Sequence, residues 1–323
     1  MILRKIKILN SKKSLEMSFN WLFSLVVGAV IIFLAIYATT KIVGTERYKQ
    51  DTVTARQLSI IFEPLEVGLA EAKSYSTELR EETRIYNSCK EQGNFGLQKI
   101  SLSTKSGFLE KWQKPGIPAE IKNKYLFSSS LEEGKEIYFF SKTFDMPWKV
   151  SETIVFTTKK YCFVNAPDFV RDEVEGLNLK NIKLDNCTDE IKVCFSSSSN
   201  CEVYVEGNCL DDCGDYGEYM YGFVHKKNET TFYISSLIYA AIFSDKEIYE
   251  CNIKRLMARL INQALIFNDE ANFLAGKCSA NQAGLIQLVN AARNVNSSRD
   301  LLSMWLIAQE VERQNKNTEC SLW

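Results

Sequence analysis

The chain has 323 residues, 39 Lys plus Arg against 40 Asp plus Glu, and a formal net charge of −1. A balance this close to neutral excludes recruitment of nucleic acid by global charge. The single histidine confines any histidine-dependent chemistry to His225.

Residues 1–17 carry Arg4, Lys5, Lys7, Lys12 and Lys13 against Glu16. This basic tail reads as a topology signal and a contact for anionic membrane lipid. From Ser18 to Thr40 there is no charged residue, and the core reads WLFSLVVGAVIIFLAIYATT. About 20 apolar residues suffice to cross a hydrocarbon core. Trp21 and Tyr37 stand near the ends of the run, where amphipathic rings favour headgroups. The sequence after it, KIVGTERYKQ, is a poor cleavage site. Residues 18–43 are therefore expected to form an uncleaved signal-anchor. The excess of Lys and Arg before the span places the tail in the cytoplasm and the remainder outside, which makes a single-pass protein of the cell membrane.

All ten cysteines follow the span: Cys89, Cys162, Cys187, Cys194, Cys201, Cys209, Cys213, Cys251, Cys278 and Cys320. Outside a membrane such a set forms disulfides. A zinc site is the alternative, but there are no paired C-x-x-C knuckles and His225 is not spaced as a ligand.

Residues 44–88 read as a helical stalk. Leu58, Ile61, Leu65, Leu69 and Ala72 recur at steps of three and four, with a kink or restart expected at Pro64. Core packing explains this stripe better than a dimer seam. Residues 89–235 read as a β-rich extracytoplasmic domain. Its strand-like pieces are LQKISLS, EIYFF, ETIVF, KYCFV, EIKVCF, CEVYVEG, YMYGFV and TTFYI. Their spacing predicts an antiparallel sheet, with hairpins at residues 157–160 and 196–200. Residues 236–323 read as a helical subdomain, with helices near 245–275, 280–293 and 298–317. Ser244 with Glu247, and Ser279 with Gln282, have capping-box spacing. The first of these helices carries an apolar seam from Ile253 through Met257, Leu260, Ala264, Phe267 and Ala271 to Leu274. Cys278 precedes the second and Cys320 follows the third, so an antiparallel pair would bring them to disulfide distance, with Cys251 as the rival partner for Cys278. The fold class is α+β.

Sequons begin at Asn186, Asn228 and Asn296, making them possible glycosylation positions, although 22 asparagines give about three by chance. The acidic stretch LDDCGDYGEY holds Asp211, Asp212, Asp215 and Glu218, but its spacing is not that of an EF-hand, and a solvated turn is expected. His225 reads as a surface residue at a strand end. Glu81-Glu82 and Glu132-Glu133 read as wet surface. No phosphate loop, dinucleotide fingerprint, H-E-x-x-H or G-x-S-x-G occurs, so no catalytic residue and no cofactor is assigned.

The segment SLEMSFNWLFSLVVGAVIIFLAIYATTKIVGTERYKQDT, with ETRIYNSC, FSKTFDMPWKVSE, YCFVNAP and AIFSDKEIYECNIKRLM, resembles a group of uncharacterised membrane-anchored proteins of small-genome archaea. The resemblance implies an archaeal cell-surface protein and no particular activity. A weaker similarity is to type IV pilins, with Lys12-Lys13-Ser14 standing for the leader and Glu16 for the glutamate. Pilin glutamate lies inside the apolar run, whereas Glu16 lies just before it. The expected function is non-catalytic: binding or organising other envelope or surface proteins. A pilin-like filament subunit and a membrane-tethered hydrolase are the alternatives.

Overall fold

The computed structural model describes residues 19–67, 74–91, 93, 95–105, 111–195, 200–209, 214–280 and 282–323. The chain divides into two compact units, residues 1–47 and 48–323. Helix α1 (Phe19–Val67) begins in the first and ends in the second. In the first unit its apolar side chains are exposed, Phe33 at 67% and Ile31 at 60% among them. The helix is long and apolar enough to cross a membrane, with a window of mean hydropathy 2.5. Thr39 and Thr40 donate their hydroxyls to the carbonyls of Ala35 and Tyr37, which satisfies both without water.

In the second unit the end of α1 buries Ala55, Leu58, Phe62 and Leu65, a stripe at steps of three and four. Leu58 and Leu65 fulfil the expected spacing. The side chain of Ile61 and residues 69 and 72 lie outside what the structure describes. The helix, described as far as Val67, runs through Pro64 without a restart, although Pro64 lacks the N–H that would donate to the carbonyl of Ile60.

The expected helical stalk over 44–88 is wrong from Ser74 onward. Residues Ser74–Lys90 form strand β1. Thr83, Ile85 and Asn87 are buried while Glu82, Arg84, Tyr86 and Ser88 are not. That period of two was hidden by the charged residues Glu78 to Arg84, of neutral-to-good helix propensity.

The first sheet contains β1, β2 (Leu97–Thr104), β3 (Ala119–Ile121), β4 (Tyr125–Phe127), β5 (Leu131–Asp145) and β6 (Lys149–Thr157), in the order β3-β2-β1-β5-β6-β4. It is antiparallel except for β4 beside β6. Both faces are covered. Ile137, Phe139, Ile154 and Phe156 point toward α1, with Phe62 and Phe139 edge to face at 5.6 Å. Phe140, Val155, Tyr125 and Phe127 point the other way, into a larger core. Burial on both faces explains the unbroken apolar runs YFF and TIVF.

The second sheet contains β7 (Tyr161–Val164), β8 (Ile182–Leu184), β9 (Ile191–Cys194), β10 (Val203–Asn208), β11 (Tyr221–Lys226) and β12 (Glu229–Ile234), in the order β12-β11-β10-β9-β7-β8. Here the expected antiparallel arrangement is only half correct. β10, β11 and β12 are antiparallel, but β8, β7, β9 and β10 run parallel. β7 reaches β8 through helix α2 (Asp168–Leu177), whose Val170, Val174 and Leu177 form the buried face. Neither expected hairpin exists. Residues 157–160 carry the chain from the first sheet to the second, and the strands flanking residues 196–200 are parallel neighbours sharing only Val203–Val193 and Tyr204–Cys194.

Four helices complete the second unit: α3 (Leu237–Phe243), α4 (Lys246–Leu274), α5 (Gln282–Arg293) and α6 (Leu301–Lys316). They share one core with the second sheet. The expected seam of α4 is buried from Ile253 to Ala271, with Phe267 and Leu274 partly buried. The expected capping boxes are absent. Ser244 donates to the carbonyl of Ala240, Asp245 is the N-cap of α4, and Ser279 donates to Glu319. A capping box occurs instead at Ser297 with Asp300.

Disulfides join Cys89 to Cys251, Cys162 to Cys187, Cys194 to Cys201 and Cys278 to Cys320, with Cα separations of 6.1, 5.6, 6.1 and 5.9 Å. Cys209 is also disulfide-bonded, and Cys213 lies outside the described residues. The Cys89–Cys251 bond spans 162 residues and the Cys194–Cys201 bond spans 7. The chain-entropy relation gives about 5 kcal/mol for the longer loop and about 2 kcal/mol for the shorter. Replacing each pair by serine is therefore expected to lower denaturant stability more for Cys89–Cys251, which urea titration of the two double variants checks.

Candidate functional site

Strand alternation gives the last three strands of the second sheet two unlike faces. Val203, Val205 and Val224 enter the core. Tyr204, Glu206, Phe223, His225 and Thr230 take the other face, where Tyr204 pairs with His225 and His225 with Thr230 across the ladder. His225 Nε2 lies 3.1 Å from Glu206 Oε2, and Nδ1 lies 3.2 Å from Thr230 Oγ1. The carboxylate only accepts, so for a neutral imidazole Nε2 carries the proton and Nδ1 accepts from Thr230. The Tyr204 ring stacks on the imidazole at 5.8 Å.

This carboxylate–imidazole–hydroxyl chain has the atoms of a general-base relay, on the one histidine available. Its setting is open to solvent. Glu206 is 56% and His225 39% exposed, so water screens the pair and leaves it little power to activate Thr230. The rim beside it, formed by Glu202, Lys227 and Glu229, is an open depression of mixed charge. Such a surface offers donors, acceptors and a ring to a docked partner.

Lys226 reaches inward beneath this rim, where its Nζ donates to the carbonyl of Ser244 at 2.5 Å. Burial lowers its pKa from 10.5 to about 8, with the carboxylates of Asp245, Glu229 and Glu132 opposing the shift. Glu132 was expected at a wet surface, but its side chain is fully buried. It accepts from the Thr158 amide at 2.8 Å and from the hydroxyls of Thr157 and Thr158, with Lys159 Nζ at 3.4 Å. The crossover between the sheets is the physical reason, because it needs an acceptor for its own amides.

A second polar layer joins the first sheet to α4. Arg255 is 1% exposed and donates to Phe95 O, Gln98 Oε1 and Asn252 Oδ1, at 3.0, 2.9 and 2.7 Å. Its guanidinium also stands 4.9 Å from the centre of the Tyr125 ring. Burial lowers the Arg255 pKa from 12.5 to about 10. Beside this layer an open cleft is lined by Cys89 and Cys251 with Lys90, Glu91, Glu247 and Glu250. Sequence reading missed Asn252 and Arg255, although both lie in phase with the buried positions Ile248, Cys251 and Leu256 of α4.

The remaining expected residues are dispersed. Asn186, Asn228 and Asn296 are exposed, with Asn186 after β8 and Asn228 between β11 and β12 at opposite ends of the strand order. Asp215 and Glu218 are exposed on the 3-10 turn Gly214–Tyr219, while Asp211 and Asp212 lie outside the described residues. Among the described residues no cluster of three metal-ligating side chains occurs. Comparison with protein-family models, curated proteins and solved structures finds no match.

Lys226 generates a pH prediction. Between about pH 8 and 10.5 its amine is charged in the unfolded chain and neutral in the folded one, so stability rises with pH across that window. Below pH 8 both states hold the proton and the burial penalty is fully present. Lys226→Met is expected to be favoured over wild type most at pH 7, with the difference shrinking toward pH 10. Urea unfolding of both proteins at pH 7, 8.5 and 10 measures it, and a pH-independent difference would reject the assignment.

Proposed function

We propose that this chain is a single-pass membrane-anchored cell-surface protein whose disulfide-stabilised outer domain binds or organises other envelope components without catalysis. One combination of observations carries the reading. The apolar start of α1 exposes its side chains, and among the described residues no cysteine is free. Exposed apolar helix favours lipid, and persistent disulfides favour an oxidising compartment. The basic residues before the span support a cytoplasmic tail, and the resemblance to archaeal membrane-anchored proteins supports the same address. The open rim around His225 supports recognition of other surface proteins rather than chemistry.

A pilin-like filament subunit is the second reading. It is favoured by the way α1 leaves an apolar segment and packs Leu58, Phe62 and Leu65 on a largely antiparallel sheet. Removal of a leader would leave a mature N-terminus at Leu15, and an intact Met1 supports the plain anchor.

Protease added to intact cells is expected to digest the region after Thr45 and to leave the tail before Ser18 protected. Immunoblotting against tags at the two ends reads this directly. Loss of the tail with survival of the domain would reverse the orientation.

A further inference from the structure

The fold treats the three N-x-S/T sequences differently. Asn228 occupies the turn between β11 and β12, and Thr230 of its sequon is inside the ladder, paired with His225. The Thr230 hydroxyl is also held by the His225 ring. Presenting residues 228–230 to an enzyme would break the end of this hairpin. Asn296 is tied down by its own amides, the side chain donating to the carbonyl of Asn294 at 3.1 Å and the backbone to Asp300 Oδ2 at 2.9 Å. Ser298 of that sequon is 1% exposed, and its hydroxyl is engaged by Glu250 and by the amide of Phe232.

Asn186 is unlike both. It follows β8 in a segment without ladder bonds, has a left-handed backbone with φ of 50°, and is exposed. Thr188 is exposed too; its hydroxyl and amide both donate to Glu190 Oε2, at 3.1 and 2.8 Å, so what sets it apart from Thr230 and Ser298 is its exposure outside any ladder and not a free hydroxyl. Cys187 between them is bonded to Cys162, so the loop is presented at a fixed place. An acceptor sequence must offer both the asparagine amide and the hydroxyl two residues on, and it must stand on the surface.

We infer that the folded domain is N-glycosylated at Asn186 and at neither Asn228 nor Asn296. The inference rests on the extracytoplasmic placement proposed above. The donor is an oligosaccharide linked through phosphate to a membrane lipid. The side-chain amide nitrogen of Asn186 bonds to the anomeric carbon, the bond from that carbon to the phosphate oxygen breaks, and the lipid phosphate leaves. The amide proton passes to a base of the transferring enzyme. The attached sugar stands at the lip of the shallow crevice beside Cys187 and Lys192, and it shields the Cys162–Cys187 bond from reductant and protease.

The test uses the full-length protein extracted from its own membranes, digested and read by glycopeptide mass spectrometry. The peptide carrying Asn186 is expected to bear a glycan, with those carrying Asn228 and Asn296 at their unmodified masses. Thr188→Ala is expected to abolish the modification and Thr188→Ser to retain it, while circular dichroism shows both variants folded. An unmodified Asn186 in a domain that external protease digests overturns this inference alone. An unmodified Asn186 in a domain protected from that protease overturns the placement with it. A glycan on Asn228 or Asn296 overturns the selection by the fold.

Discussion

Cys89 and Cys251 tie an interior strand of the first sheet to helix α4 across 162 residues of chain. Around that bond lies a buried layer in which, among the described residues, no carboxylate pairs with Arg255. Gln98 and Asn252 both donate to the carbonyl of Leu126, Asn87 donates to Ser128, and Arg255 donates from Nε and Nη1 to neutral oxygens while its Nη2 is buried without a hydrogen-bond partner. A buried cation held this way is tolerable only when all its acceptors are in place at once. Gly96 belongs to the same constraint. Its φ is +64°, and a Cβ there would stand 2.6 Å from the Arg255 side chain. The sheet, α4 and the segment reaching Gly96 therefore assemble together or not at all.

The rest of the fold follows from that junction. With α4 fixed on the inner face of the first sheet, α3 and the second sheet close the larger core, and α1 covers the outer face. The second sheet is a staggered joint of a parallel half and an antiparallel half, overlapping at two residue pairs. Such a short seam needs further support. Cys194–Cys201 supplies it covalently, and the Tyr219 hydroxyl donates to Phe195 O at 2.6 Å beside it. Disulfide formation is thus part of what holds this domain together.

Much of this was legible in the residues. The apolar span, the three long C-terminal helices and the eight strand-like pieces carry strong periodicity or composition. What was missed has a common cause in tertiary context. Ser74–Lys90 is polar enough to read as helix, and only pairing on both sides makes it a strand. LIYAAIF of α3 is buried all round and shows no period. Strand direction in the second sheet depends on α2, a ten-residue helix whose face is only Val170, Val174 and Leu177. Buried Glu132 and Arg255 and half-buried Lys226 look like ordinary surface charges until their neighbours are known. The candidate rim shows the same limit: His225 was visible as the lone histidine, but Glu206, Thr230 and Tyr204 join it only through register.

In the proposed function, this junction makes the domain a platform for binding other surface proteins. The reading stands on the redox state of its cysteines in the living cell. Thiol mass-tagging measures that state directly. Intact cells are quenched in acid and the proteins are labelled with a large maleimide, before or after reduction. The account predicts no tag before reduction and tags on all ten cysteines after it. Tagging of Cys89 and Cys251 without reduction would contradict it.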